Sequence, residues 1–222
     1  MAAATKRTKF YSLFDKSTPH YKDRWIVFPW EAIEVIKGDN ESEGPTDAVI
    51  RLLEFIGEDV HREGLKETPA RVLKSFKEIY GGYDVDPATH MKTFVEGACD
   101  EMVLLKDIEF YSTCEHHMQP FFGKAHIAYV PDNRVIGVSK LARVLDVYAR
   151  RLQIQEKLTD QVAGALLRGL QPKGVAVVLE ARHFCMVCRG VGKQNSIMTT
   201  SCLQGVFRRD AAARAEFFQL IK

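Results

Sequence analysis

The sequence predicts an α+β domain built on an antiparallel sheet, and three observations carry that prediction. Runs that read as strands fall at Asp107–Ser112, Gly123–Val130, Gly174–Cys185 and Ser196–Phe207, the second with clear period-two alternation. Between and around them lie segments whose apolar residues recur every three or four positions, the signature of helices with one buried face. Strands and helices do not alternate in a regular βαβ order, and no glycine-rich nucleotide fingerprint follows any strand.

Residues 1–45 are set apart by composition. Phe10, Tyr11, Phe14, Trp25, Ile26, Phe28 and Trp30 are too many aromatics for a disordered tail, and Gly38–Pro45 is a polar breaker cluster that reads as a linker. This stretch is expected to be a variable extension packing on its own or a neighbouring subunit, with a regulatory arm as the sharper alternative. Its first residues are basic and lack the apolar core of a secretory signal; their early lack of acids is a faint sign of a transit peptide, against which Asp15 and Asp23 soon follow.

A helix is expected from Asp47 to Phe55, with Thr46 as N-cap and Val49, Leu52, Leu53 and Ile56 as its stripe. A second opens with Thr68 as cap and Pro69 at the first position, carries Val72, Phe76 and Ile79, and stops at Gly81-Gly82. Arg71 and Lys74 lie three apart on its early turns. Such pairs are commonly just solvated, yet cations near a helix N-terminus gain nothing from the dipole, and a phosphate partner would account for them. The strands at 107–112 and 123–130 form a hairpin around the Cys114–His117 turn, with His126 as an ordinary sheet histidine. Ser139 is the expected cap of a helix buried through Leu141, Val144, Leu145 and Tyr148. Gln155–Leu170 forms another through Leu158, Val162, Leu166 and Leu170, and Asp210 caps the C-terminal helix.

The chemistry concentrates in Cys114-Glu-His-His117 and His183-Phe-Cys185. Thiolate and imidazole are the ligands zinc prefers, and Cys114, His117 and Cys185 would leave the fourth tetrahedral corner to water, as catalytic zinc requires. His116 and His183 would then be proton carriers beside the metal. The rival is a closed structural site, Cys114-x2-His117 with Cys185-x2-Cys188, which spacing alone favours. Reading Phe184–Val187 as strand argues against it, because residues 185 and 188 then point to opposite faces while 183 and 185 share one. A third reading is that no metal binds. Ser139, Lys140, Arg143, Gln155, Glu156, Arg182, Arg189 and Lys193, taken singly, read as surface groups. Lys140 and Arg143, three apart at a helix start, suit phosphate oxygens, and a carboxylate such as Glu156 could accept from a purine's N1–H and amine.

The whole chain sets bounds on partners and compartment. At 222 residues with 46% hydrophobic and 27% charged residues it is ordinary for a soluble globular protein, and a net charge of +2 suggests neither nucleic acid nor membrane as partner. No apolar run approaches the roughly 18 residues that span a bilayer. Five scattered cysteines argue against a disulfide framework and for the reducing cytoplasm.

Longer stretches then become recognisable. Tyr-Ser-Thr-Cys-Glu-His-His-Met-Gln-Pro-Phe-Phe-Gly, Gly-Val-Ser-Lys-Leu-Ala-Arg, Gln-Ile-Gln-Glu-Lys-Leu-Thr, Ala-Arg-His-Phe-Cys-Met-Val-Cys-Arg-Gly and, earlier, Glu-Thr-Pro-Ala-Arg-Val resemble GTP cyclohydrolase I, in order and at sensible intervals from residue 46 to the C-terminus. The resemblance implies a domain over 46–222, with an N-terminal helical part (46–100) and a tunnelling-fold part (101–222) whose antiparallel sheet carries helices on one side. It implies pairing of sheet edges into rings, a homodecamer with active sites between subunits, and conversion of GTP and water to 7,8-dihydroneopterin triphosphate and formate. Carried over, Cys114, His117 and Cys185 resemble the zinc ligands, with the zinc lowering the pKa of the water that attacks C8. His116 resembles the residue that protonates N7, His183 the acid–base group near C8 and the ribose oxygen, and Ser139 the residue near the ribose during rearrangement. Gln155 and Glu156 match the purine-recognition segment. Lys140, Arg143 and Arg189, with Arg71 and Lys74 from a neighbouring subunit, match the triphosphate positions. A deazaguanine nitrile reductase of the same fold would need a nucleophilic cysteine and an NADPH site instead. A zinc-stabilised assembly protein would have no use for His116 and His183.

Overall fold

A computed structural model describes residues 44–97 and 99–222. The expectations about the aromatic extension therefore lie outside the described residues. The described residues divide into two units, one ending at Pro69 and one running from Ala70 to Lys222.

In the first unit, α1 spans Pro45–Phe55. Its cap is Gly44 rather than Thr46: Pro45 takes the first helical position, where its missing N–H costs nothing, and the Asp47 carboxylate accepts from the Gly44 amide at 2.8 Å. Helix α1 buries none of its residues, and Leu52, Phe55 and Ile56 are 63%, 86% and 68% exposed. Beyond it, Arg62 pairs with Glu58, four residues back, at 2.7 Å. Helix α2 spans Thr68–Ile79, so Thr68 opens the helix rather than capping it, and buried Pro69 follows in the first turn.

The second unit is organised by five strands in the order β5-β2-β3-β6-β7. These are β2 (Val103–Cys114), β3 (Pro120–Val130), β5 (Leu152–Gln153), β6 (Gly174–His183) and β7 (Met198–Gly205). Every pairing is antiparallel except β2 with β5, so the expected α+β class holds. A separate short pair, β1 (Thr93–Phe94) with β4 (Val135–Ile136), precedes α3 (Val138–Ala149). Helix α4 follows at Gln155–Leu170.

Alternation sorts the side chains. Ala125, Ile127 and Tyr129 of β3, with Val175, Val177, Leu179 and Ala181 of β6, face the core shared with Leu141, Val144, Leu145, Leu158, Val162 and Leu166 of α3 and α4. The intervening Ala128, Ala176 and Val178 meet Phe207 and Phe217 from α6 (Val206–Arg209) and α7 (Ala211–Leu220). The two long helices thus share one face, and the short C-terminal helices cover part of the other. Asp210 caps α7 as expected, accepting from the amides of Ala212 and Ala213. Ser139 does not cap α3. Gly137 does, and Ser139 lies exposed inside the first turn.

Two details fix the sheet's register. A Cβ on Gly123 would stand 1.8 Å from the Glu180 carbonyl oxygen, so only glycine lets β3 and β6 close there. In β2 the ladder slips between Leu105 and Ile108, where Asp107 takes φ 59°. The freed Asp107 amide donates to Nδ1 of buried His126 at 3.3 Å. Burial holds His126 below the ordinary histidine pKa, against the pull of Asp107 and Glu180, which keeps that nitrogen an acceptor. His126 is a sheet histidine, with the added task of pinning a bulge.

Candidate metal centre

Strands β2 and β6 run in the same direction with β3 between them, so both deliver their C-terminal residues to one end of the sheet. Cys114 is the last residue of β2, and His183, opposite Phe121 at the start of β3, is the last of β6. The connection after Cys114 is held from two sides. The Cys114 amide donates to Gln119 O at 2.8 Å, and the Glu115 amide donates to Gln153 O of β5 at 2.9 Å. Met118 adopts φ 51° to close the turn. Lys157 of α4 reaches Glu115 at 3.5 Å.

After His183 the chain turns into α5, Phe184–Val187, a single helical turn. Residue 185 is therefore not strand, and the face-alternation argument that set Cys185 apart from Cys188 does not apply. Other contacts distinguish the two cysteines among the described residues. The Cys188 thiol donates to Phe184 O at 3.0 Å, one turn back, and only Cys185 joins Cys114 and His117. Their ligand atoms all lie within 4.8 Å of one another. Cys114 Sγ is 3.6 Å from His117 Nδ1, close to the roughly 3.6 Å edge of a tetrahedron with zinc–ligand bonds of about 2.0–2.3 Å.

The donor set fits a metal ion. Burial first, and then the neighbouring Cys114 sulfur, hold the Cys185 thiol above its ordinary pKa. A bound cation would offset that cost of ionising Cys185. His116 lies beside the triad, its Nδ1 3.9 Å from Cys114 Sγ and its ring 6.2 Å from that of His117. His183 stacks on Phe121 with centroids 4.5 Å apart and planes 5° from parallel. Burial lowers its pKa, opposed by the charge of Glu156, so the ring is predominantly neutral near pH 7.

The remaining expected site residues divide by place. Glu156 is exposed in the first turn of α4, near enough to act on His183. Exposed Arg189 donates to Cys185 O at 3.4 Å. Gln155, expected at the purine edge, is instead fully buried, with its amide engaged by protein groups and its Oε1 2.7 Å from His183 Nε2. Ser139 and Lys140 occupy the first turn of α3. The other end of that helix is tied to the centre, because Tyr148 O accepts from Gln153, the residue paired with Cys114. About 14 Å of helix separates the two ends, so Ser139 lies well away from its own chain's metal centre. Arg143 lines a cleft of about 250 Å³ with Lys77, Glu78, His90, Asp146 and Arg150. Arg71 and Lys74 are exposed on α2. Sequence reasoning missed the inward role of Gln155, and it also missed Phe121, whose ring fixes the plane of His183. An aromatic following a proline at a strand start was the one available signal for Phe121.

Residues 46–222 match the family model described as GTP cyclohydrolase I. The GTP cyclohydrolase 1 of Wolinella succinogenes is 58% identical over 177 residues, covering 79% of this chain and 95% of that protein. The same-named protein of Chlorobaculum tepidum is 55% identical over 178 residues, 79% of each chain. That of Helicobacter pylori strain G27 is 50% identical over 173 residues, covering 78% of this chain and 96% of its own.

Proposed function

The chain belongs to the GTP cyclohydrolase I family, and on that premise we infer that it hydrolyses GTP to 7,8-dihydroneopterin triphosphate and formate, the first step of pterin biosynthesis. The observation that carries the reading is the meeting of Cys114, His117 and Cys185 within 4.8 Å, with His116 and His183 alongside and outside the ligand set. A closed structural site would have no need of either histidine.

We take the metal to be zinc, because two thiolates and an imidazole are soft and borderline donors that suit it. Cys114, His117 and Cys185 would hold the zinc, which would supply Lewis acidity toward water for hydrolysis at C8 of the guanine near neutral pH. His116 gives a proton to N7 as the imidazole ring opens. His183, neutral and held in plane, exchanges protons near C8 and the ribose ring oxygen as formate leaves. Glu156 accepts from the guanine N1–H and 2-amino group. Arg189, Lys140, Arg143, Arg71 and Lys74 are cations suited to oppose the triphosphate. Ser139 serves the ribose during the rearrangement and ring closure that follow.

The position of Ser139 and Lys140, a helix length from their own chain's metal centre, supports active sites completed by a neighbouring copy. Strand β5 covers only Thr113 and Cys114 of β2, and β7 has no outer neighbour among the described residues. Two open edges on opposite sides of one sheet favour a head-to-tail ring, and the uncovered apolar face of α1 offers a further contact. We propose a homodecamer of two stacked rings, with the number of subunits taken from the resemblance to the family. All five cysteines are free, which suits a cytoplasmic setting. No helix among the described residues is long and apolar enough to cross a membrane.

Incubation of the zinc-loaded protein with GTP tests the function. Formate and a fluorescent pterin are expected in equal amounts, with both abolished by a zinc chelator and restored by added zinc. Failure of a folded, zinc-loaded sample to release either product would overturn the reading. A chelator-insensitive yield would remove the metal from it.

A further inference from the structure

Gln155 is the first residue of α4, and its side chain is closed off from solvent. Its Nε2 lies 3.0 Å from Leu179 O, 2.9 Å from Met198 O and 3.1 Å from Thr200 Oγ1. Backbone carbonyls can only accept, so the NH2 end of the amide is fixed on that side. The hydroxyls agree with this assignment. Thr159 spends its hydrogen on Gln155 O at 2.7 Å, so the 2.7 Å contact between Thr159 and Thr200 takes its hydrogen from Thr200. Thr200 is thereby left to accept from Gln155. The oxygen end of the amide must then face His183, and Oε1 has no hydrogen to give. At 2.7 Å the bond requires that His183 Nε2 carry the hydrogen. In a neutral ring the bare nitrogen is then Nδ1, and the parallel Phe121 ring holds the imidazole plane.

We infer that Gln155 is a positioning residue that fixes His183 with Nε2 as donor and Nδ1 as its proton-accepting nitrogen. It acts through His183 and does not touch the substrate. The polar chain that sets it spans α4, β6 and β7, so three elements of the core determine one tautomer. The kinetic part of this inference rests on the cyclohydrolase reading, and the tautomer does not.

Gln155→Met keeps the side chain's length and removes the acceptor. With zinc content unchanged, kcat for GTP is expected to fall about 10- to 100-fold, the scale of lost support behind a site residue, while KM stays within about two-fold. Placed on His183→Ala, the same substitution should cause no further loss, because residues acting through one group are not additive. A raised KM with kcat preserved, or full additivity on His183→Ala, would overturn the inference in favour of substrate contact or a purely structural tie. A second arm uses the wild-type protein labelled with nitrogen-15 histidine, the His183 signals being assigned by their absence in His183→Ala. Protonated Nε2 and bare Nδ1 are expected, and the reverse would overturn the inference even if Gln155→Met does not fold. A wild-type protein that leaves GTP untouched yet shows this tautomer would count against the cyclohydrolase reading alone.

Discussion

Cys185→Ser is expected to lose its metal and its GTP turnover together, with kcat down about 10³-fold or more. The residue supplies one of three ligand atoms that converge within 4.8 Å, and it does so from a four-residue helical turn separate from the Cys114 connection. Without it, Cys114 and His117 remain as a two-point site from one turn, open on the side where α5 approaches. Serine does not ionise near neutral pH, and its hard oxygen is a poorer partner than thiolate for zinc. Lewis-acid stabilisation worth several kcal/mol disappears, and each 1.36 kcal/mol is a factor of ten in rate. Cys188→Ser is the matched control. That thiol is exposed and bonded to Phe184 O, so its loss should leave zinc content and turnover near wild type. Zinc per chain by elemental analysis, measured beside formate release, checks both. An active, zinc-replete Cys185→Ser would sink the ligand set.

His116→Ala should separate the two properties that Cys185→Ser loses together. Zinc is expected to stay at wild-type stoichiometry while turnover falls about 10²- to 10⁴-fold, the contribution of a positioned proton donor. The case needs testing because His116 Nδ1 is 3.9 Å from Cys114 Sγ, not far beyond the 3.6 Å of His117. Only His117 joins Cys185 and Cys114 in one mutually close group. His116 is exposed on the same turn, free to meet the purine. Single-turnover measurement with GTP would show the lesion in ring opening rather than in substrate binding. Loss of zinc from His116→Ala would mean that the two neighbouring histidines have been given each other's roles.

The sequence reveals this molecule best where a buried stripe is regular. Leu158, Val162, Leu166 and Leu170 are all buried on α4, and both ends of that helix fall where the periodicity puts them. The grouping of Cys114, His117 and Cys185 was legible from residue type, since thiols and imidazoles are the donors zinc prefers. The helix starts were less so. Gly44 and Gly137 cap helices where Thr46 and Ser139 had better side chains for the task, because backbone path decides which residue stands at the cap. The run Phe184–Val187 is apolar and short, and periodicity cannot tell strand from helix over four residues. The strand geometry used to set Cys188 apart from Cys185 is therefore not the one the chain adopts there. Gln155 was misread for a different reason. Its burial depends on acceptors 24 and 45 residues away on β6 and β7, which nothing local announces. A motif likewise names Ser139 and Lys140 as site residues without revealing that they lie at the far end of α3 from Tyr148, which is tied through Gln153 to Cys114.

The most direct test of the central claim is X-ray absorption at the zinc edge of the resting protein. An open catalytic site predicts two sulfur neighbours at about 2.3 Å and two nitrogen or oxygen neighbours at about 2.0–2.1 Å, the second of these being solvent. That pattern should persist unchanged in Cys188→Ser. Three sulfurs and one nitrogen, falling to two sulfurs in Cys188→Ser, would mean a closed site in which Cys188 completes the shell, and the catalytic account would not survive it.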